Sequence, residues 1–136
     1  MLAMLAMAFT LVFSSCKKDD EPTPITKEKL TAVWKLESSK TIITAAGQTA
    51  PPVTEPGSGE TLELKSDGTS ISKDEDGVTS TGTWSLTGTK LTMTSQSGEY
   101  EGTFEVKEAS NVLVLHTVEE MAAFGMKIEA TLTFKK

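Results

Sequence analysis

The sequence predicts an all-β fold: an eight-stranded antiparallel up-and-down barrel with one short helix before the last strand. Three observations predict it. From Leu30 onward apolar residues recur with a period of two, the period of a half-buried strand. Turn signals rich in Gly, Asp and Ser interrupt that pattern at hairpin spacing. Each run has one apolar face and one Thr/Glu/Lys face, and closing eight such runs into a barrel removes both exposed edges.

Trp34 and Leu36 open the first strand, expected to reach Ile43. Segment 45–59 (AAGQTAPPVTEPGSG) holds three of the five prolines. It is expected to be a long lid, binding loop or mobile loop and not a strand, because proline cannot donate to a ladder. Leu62 and Leu64 alternate with Glu63 and Lys65 and stop at Ser66-Asp67-Gly68. A short strand around Ile71, with Ile71 inward, runs into Asp74-Glu75-Asp76-Gly77. Gly82, Trp84 and Leu86 share a face, as do Leu91 and Met93, and then Tyr100, Gly102, Phe104 and Val106. Gly82 and Gly102 interrupt apolar faces, which marks a bend or a close backbone approach. Val112 to Val118 is apolar on both faces, with Leu113 and Leu115 inward. A helical period appears only in Glu119–Phe124, ahead of Gly125, a helix stop. Met121, Phe124 and Met126 have three uses open to them: gating the mouth, touching lipid, or packing under the rim. Ile128, Leu132 and Phe134 supply the last inward face.

The N-terminus has a different character. Met1–Phe13 is apolar and shorter than the roughly 20 residues a membrane span needs; its length suits the core of a signal peptide. Cys16, the single cysteine, ends this run and is followed by Lys17-Lys18-Asp19-Asp20-Glu21-Pro22. Phe13-Ser14-Ser15-Cys16 resembles a lipobox, where a peptidase cuts before a cysteine carrying diacylglycerol. The resemblance implies a signal peptide at 1–15, a lipidated Cys16 with a flexible tether at 16–28, and a barrel domain at 29–136. The other reading is a free cysteine after an ordinary secretion signal. The charged run resembles the acidic export tag of surface lipoproteins in some Gram-negative bacteria. It implies an outer-membrane, lipid-anchored, cell-surface protein, with a periplasm-facing location as the alternative. Residues 17–28 reach about 40 Å when extended.

The formal charge is −6, and all thirteen basic residues are Lys. Arg is the preferred grip for phosphate and carboxylate, so its absence and the acidic balance argue against nucleic acid and polyanionic ligands. The length left after cleavage suits one domain, and a monomer is expected.

No catalytic constellation is present, so the protein is expected not to be an enzyme. His116, the single histidine, has no cysteine partner and is expected at a strand end, half exposed. Ser72-x-Asp74-x-Asp76-Gly77 has the oxygen spacing of the start of a calcium loop, but Thr83 stands where the closing acid belongs. An acidic hairpin turn is the expectation, with no metal and no cofactor.

Val33-Trp34-Lys35-Leu36, Gly82-Thr83-Trp84-Ser85-Leu86 and the eight-strand meander together are similar to lipocalin-like lipoproteins, from Leu30 to the C-terminus. The resemblance implies an antiparallel barrel, often holding a small apolar molecule, with Trp34 sealing one end. It also implies an Arg packed over that Trp, which this chain does not have. An eight-stranded interior either fills with side chains or holds one small ligand. The adjacent-strand, same-face residues Trp84, Met93, Tyr100 and Phe104 are the expected ligand-binding lining. Two functions follow: a lipid-anchored barrel binding a small apolar ligand, or a solid-cored interaction module contacting a protein or glycan, such as an enzyme inhibitor.

Overall fold

A computed structural model describes residues 24–98 and 101–136. The signal segment 1–15, Cys16 and Tyr100 lie outside the described residues. The chain opens with a one-turn helix α1 (Lys27–Leu30), then strands β1 (Ala32–Ala45), β2 (Gln48–Thr49), β3 (Val53–Pro56), β4 (Thr61–Leu64) and β5 (Thr69–Lys73). It continues with β6 (Thr79–Thr87), β7 (Lys90–Ser95), β8 (Glu101–Ala109), β9 (Val112–Met121), a 3-10 turn (Ala122–Phe124) and β10 (Met126–Lys135). Every pairing is antiparallel, and β10 pairs back onto β1. The sheet is a closed eight-stranded barrel, as the sequence predicts.

Segment 45–59 departs from expectation. Ala46 (φ 51°) and Gly47 (φ 75°) form a two-residue turn with both dihedrals positive, the turn type whose twist matches a hairpin. Gln48 and Thr49 then pair with Ala45 and Thr44, and β3 pairs along Ser38–Thr41. The prolines did not prevent a strand, because β3 pairs only with β1. On an edge, Pro56 owes no donor to a second neighbour. The return strand then bends at Gly57, whose amide donates to the Glu37 carbonyl at 2.9 Å. Glu37 is itself the extra residue of a bulge in β1, and bulges re-aim strands at barrel rims.

Antiparallel order gives the barrel two ends. The base holds α1 and the turns 65–68, 88–89 and 110–111. The mouth holds the turns 46–47, 74–78 and 122–125. At the base the interior is filled. Leu30, Trp34, Leu64, Leu91, Leu113 and Leu115 are fully buried and pack with Leu62, Trp84, Val106 and Phe134. Ile25, on the tether side of the expected boundary, also packs against this cluster. Fully burying a side chain of this size contributes about 1.5–3 kcal/mol.

Trp34 organises the plug. Its Nε1 donates to the Leu30 carbonyl at 2.8 Å, fixing α1 across the base. Thr26 caps α1 by accepting from the Lys29 amide at 3.4 Å. Lys136 Nζ lies 5.1 Å from the Trp34 ring centroid. A lysine thus takes the place over Trp34 where the resemblance implies an arginine, with the same cation–π attraction. Lys27 covers Trp84 in the same way at 5.3 Å.

Two further differences are local. Glu119, Glu120 and Met121 continue β9, and only Ala122–Phe124 is helical, because β10 extends far enough to pair with all three. Ile71 faces outward; Ser70 and Ser72 face inward, opposite Leu64 and Leu62. A one-residue shift in a strand exchanges its faces, and this strand carries a single apolar residue to fix the reading.

Gly82 sits where β6 and β7 approach closely. A Cβ there would lie 2.2 Å from the Thr94 carbonyl oxygen. Gly82→Ala should therefore destabilise the fold by about 1–3 kcal/mol, read as a lower urea midpoint; an unchanged midpoint would show that the strands separate freely.

Asp67 Oδ1 accepts from the Thr69 amide at 2.9 Å and the Thr69 hydroxyl at 2.6 Å. These bonds hold the exposed carboxyl below its ordinary value of 3.8. Its stabilisation is therefore complete above the unfolded pKa and disappears as the pH falls through the folded one. Asp67→Ala should be less stable than wild type near neutral pH, with the gap shrinking in acid as Asp67 is protonated. Thermal melts across that range check it.

Candidate functional site

The inward faces change character from base to mouth. Leu64, Ser70, Gly82 and Ser95 are successive register partners around the wall. One step toward the mouth, Leu62 is followed by Ser72 and Ser80. Met93 lies beside Gly82, in register with Trp84. Ser70, Ser72, Ser80, Gly82, Met93 and Ser95 line a cavity of about 260 Å³, with Thr81 and Thr94 completing its wall. Among the described residues no ionisable side chain lines it.

Ser70 is the deepest polar group, 5% exposed. No fully buried side-chain N or O atom among the described residues lacks a partner, and no hydrogen bond is found for the Ser70 hydroxyl, so it opens onto the cavity. Ser72 Oγ is 3.5 Å from the Ser80 carbonyl oxygen, the limit of a hydrogen bond. The cavity therefore offers a Met thioether and glycine backbone beside several hydroxyls, a lining that accepts an apolar body with one polar end.

Of the expected lining, Met93 is in the cavity wall. Trp84 belongs to the filled base: it is 4% exposed, and its Nε1 donates to the Lys65 carbonyl at 2.9 Å. Phe104 packs against the core cluster and pairs with Leu91. Tyr100 lies outside the described residues. The sequence reading missed the serines, because it searched the inner face for large apolar groups. The available signal was that the β5 and β6 faces opposite Leu62 and Leu64 carry only Ser and Gly.

The other expected groups are placed as follows. Asp74 Oδ1 accepts from the Asp76 amide at 3.0 Å and the Val78 amide at 2.8 Å. The calcium-like spacing is thus a side-chain-capped hairpin turn. His116 is in mid-strand on the outer wall of β9, not at a strand end, half-buried, with Nδ1 3.1 Å from the Thr131 hydroxyl. Met121 and Met126 pair in register and are half-buried, whereas Phe124 at the 3-10 tip is 79% exposed. Phe124 therefore does not pack under the rim.

Among the described residues, other hollows include one at each end of the barrel. At the mouth end a cleft of about 310 Å³ runs between Leu36, Ser39, Glu55, Ser58, Glu60 and Glu75. At the base an open groove of about 740 Å³ lies between the lead into α1 and the β8–β9 turn.

A barrel closed at one end by a Trp-centred plug and open over a small cavity is the layout of the lipocalin-like class. The family description for the lipocalin-like domain matches residues 30–115, and the chain belongs to that family. No curated protein matches the chain.

If the Ser70 hydroxyl meets only the cavity, Ser70→Ala removes no protein hydrogen bond. Its stability should then stay within about 0.5 kcal/mol of wild type, against about 1 kcal/mol or more for a bonded hydroxyl. Urea unfolding of the pair decides between these.

Proposed function

We propose that this protein is a non-enzymatic, lipid-anchored carrier of the cell envelope that holds a compact, largely apolar ligand in the mouth of its barrel. The cavity carries the reading. Below it the core is packed, so a ligand has one entrance and one depth. Its volume falls just under the roughly 300–1,000 Å³ of drug-sized sites, which restricts the ligand to a small one. The serines supply a place for a hydroxyl, carbonyl or similar polar end. His116 bonds Thr131 on the outer wall, away from the cavity, which supports binding without catalysis.

The anchoring half of the proposal rests on the lipobox-like Phe13–Cys16 and the charged run after it. One acyl chain binds a membrane marginally, and two or more hold it stably. An outer-membrane, surface-facing location follows from the tag-like charges, and a monomer from the closed barrel, which leaves few edges to pair. Intact mass of the membrane-extracted protein should show a chain starting at Cys16 and bearing acyl chains; an unmodified chain would sink the anchor.

One observation favours an interaction module as the second reading. Phe124 stands at the mouth-end tip, 79% exposed and the most exposed large apolar side chain among the described residues. Native mass spectrometry of the Cys16→Ser protein from its own host separates the readings. The carrier should show a reproducible extra small-molecule mass, absent in Ser80→Phe, which blocks the mouth at an exposed inner position. A bare mass in both, with a protein partner lost on Phe124→Ser, would favour the interaction module.

A further inference from the structure

We propose that the base groove is a docking site for the anionic headgroups of the bilayer that carries the anchor, which holds the barrel upright with its mouth away from the membrane. The inference rests on the reading that Cys16 is acylated. Its own observations are charge and position.

The groove has an apolar floor and a basic rim. Ile25, Val106 and Ala109 form the floor, the last two 3% and 6% exposed. Lys29, Lys107 and Lys136 stand around it, with Glu108 the single acid among its lining. An apolar floor ringed by ammonium groups matches the glycerol and phosphate of an anionic lipid. Lys29 Nζ donates to the Pro24 carbonyl at 2.8 Å, which leaves its charge free to act on a phosphate.

The two ends differ in their balance of charge. Lys27, Lys65, Lys90 and Lys135 also belong to the base, beside Glu28, Asp67, Glu105 and the Lys135 partner Glu37. At the mouth end Asp74, Glu75, Asp76, Glu119 and Glu120 outnumber Lys73 and Lys127. The protein's net charge is negative, but charges beyond the Debye length of about 8 Å are screened at physiological ionic strength. A flat anionic surface therefore feels the end it touches. The base is attracted, and the mouth is repelled. Position agrees, because Pro24, the first described residue, lines the groove.

The test uses the chain from position 16 with Cys16→Ser, which contains the whole closed barrel. Vesicles of phosphatidylcholine with phosphatidylglycerol are compared with phosphatidylcholine alone by co-sedimentation. Binding is expected only to the anionic vesicles and should vanish between about 0.1 M and about 1 M salt. The Lys29→Gln/Lys107→Gln variant should bind more weakly, by about fivefold per lysine. Lys40→Gln/Lys127→Gln, which removes lysines remote from the groove, should bind like wild type. Equal recovery with both vesicle types, or equal loss in both double variants, overturns the docking site. Acylation of Cys16 is read separately by mass, so either reading can fail alone.

Discussion

The hydrogen bond from Trp34 Nε1 to the Leu30 carbonyl is the contact on which the rest of the molecule depends. It converts an open tube into a vessel. Without it α1 has no fixed place, since a single helical turn is far too short to be stable by itself. With it, Leu30 is driven fully under the barrel and Trp34 is sealed from both sides. Lys136 then lies over the remaining ring face. A lysine achieves this with a flexible stem and a point charge, where an arginine would stack a plane.

The plug dictates what the interior can do. An eight-stranded barrel has room for its own side chains or for one small ligand, and this barrel divides the space between them. Trp and Leu fill the base. On the inner face of β5 and β6, nearer the mouth, Ser and Gly leave a hollow. At Gly82 the Thr94 carbonyl stands where a Cβ would lie, so the residue that lets β6 meet β7 there also adds no side chain to the hollow. Pro24, the first described residue, lies at the plugged end, so a protein held by its N-terminus would present the open end outward.

Much of this was legible in the sequence. The alternation around Trp34, Leu62, Leu64, Trp84 and Leu91 was strong enough to fix both strand and face. The return strand through segment 45–59 was not legible, since its pairing depends on β3 being an edge, a fact of topology that proline content conceals. The Ile71 face was misassigned for a related reason: a short strand with one apolar residue lacks the pattern that fixes register. Of the candidate site, only Met93 was anticipated. Serines on an inner face give no hydrophobic signal, and a cavity is made by what the large residues leave vacant. Lys136 was invisible because its role is defined by the ring it covers, at the far end of the chain.

Amide hydrogen exchange followed by NMR tests the division of the barrel most directly. Exchange separates segments that open locally from those that open only on global unfolding. The account predicts two tiers. Amides of Trp34, Leu64, Leu113, Leu115 and Phe134 should exchange at the global rate, and those of Ser72, Ser80 and Ser95 should exchange far faster through local opening at the mouth. A single uniform tier from base to mouth would contradict it, since a barrel protected equally throughout has no separate plug and no separately yielding entrance.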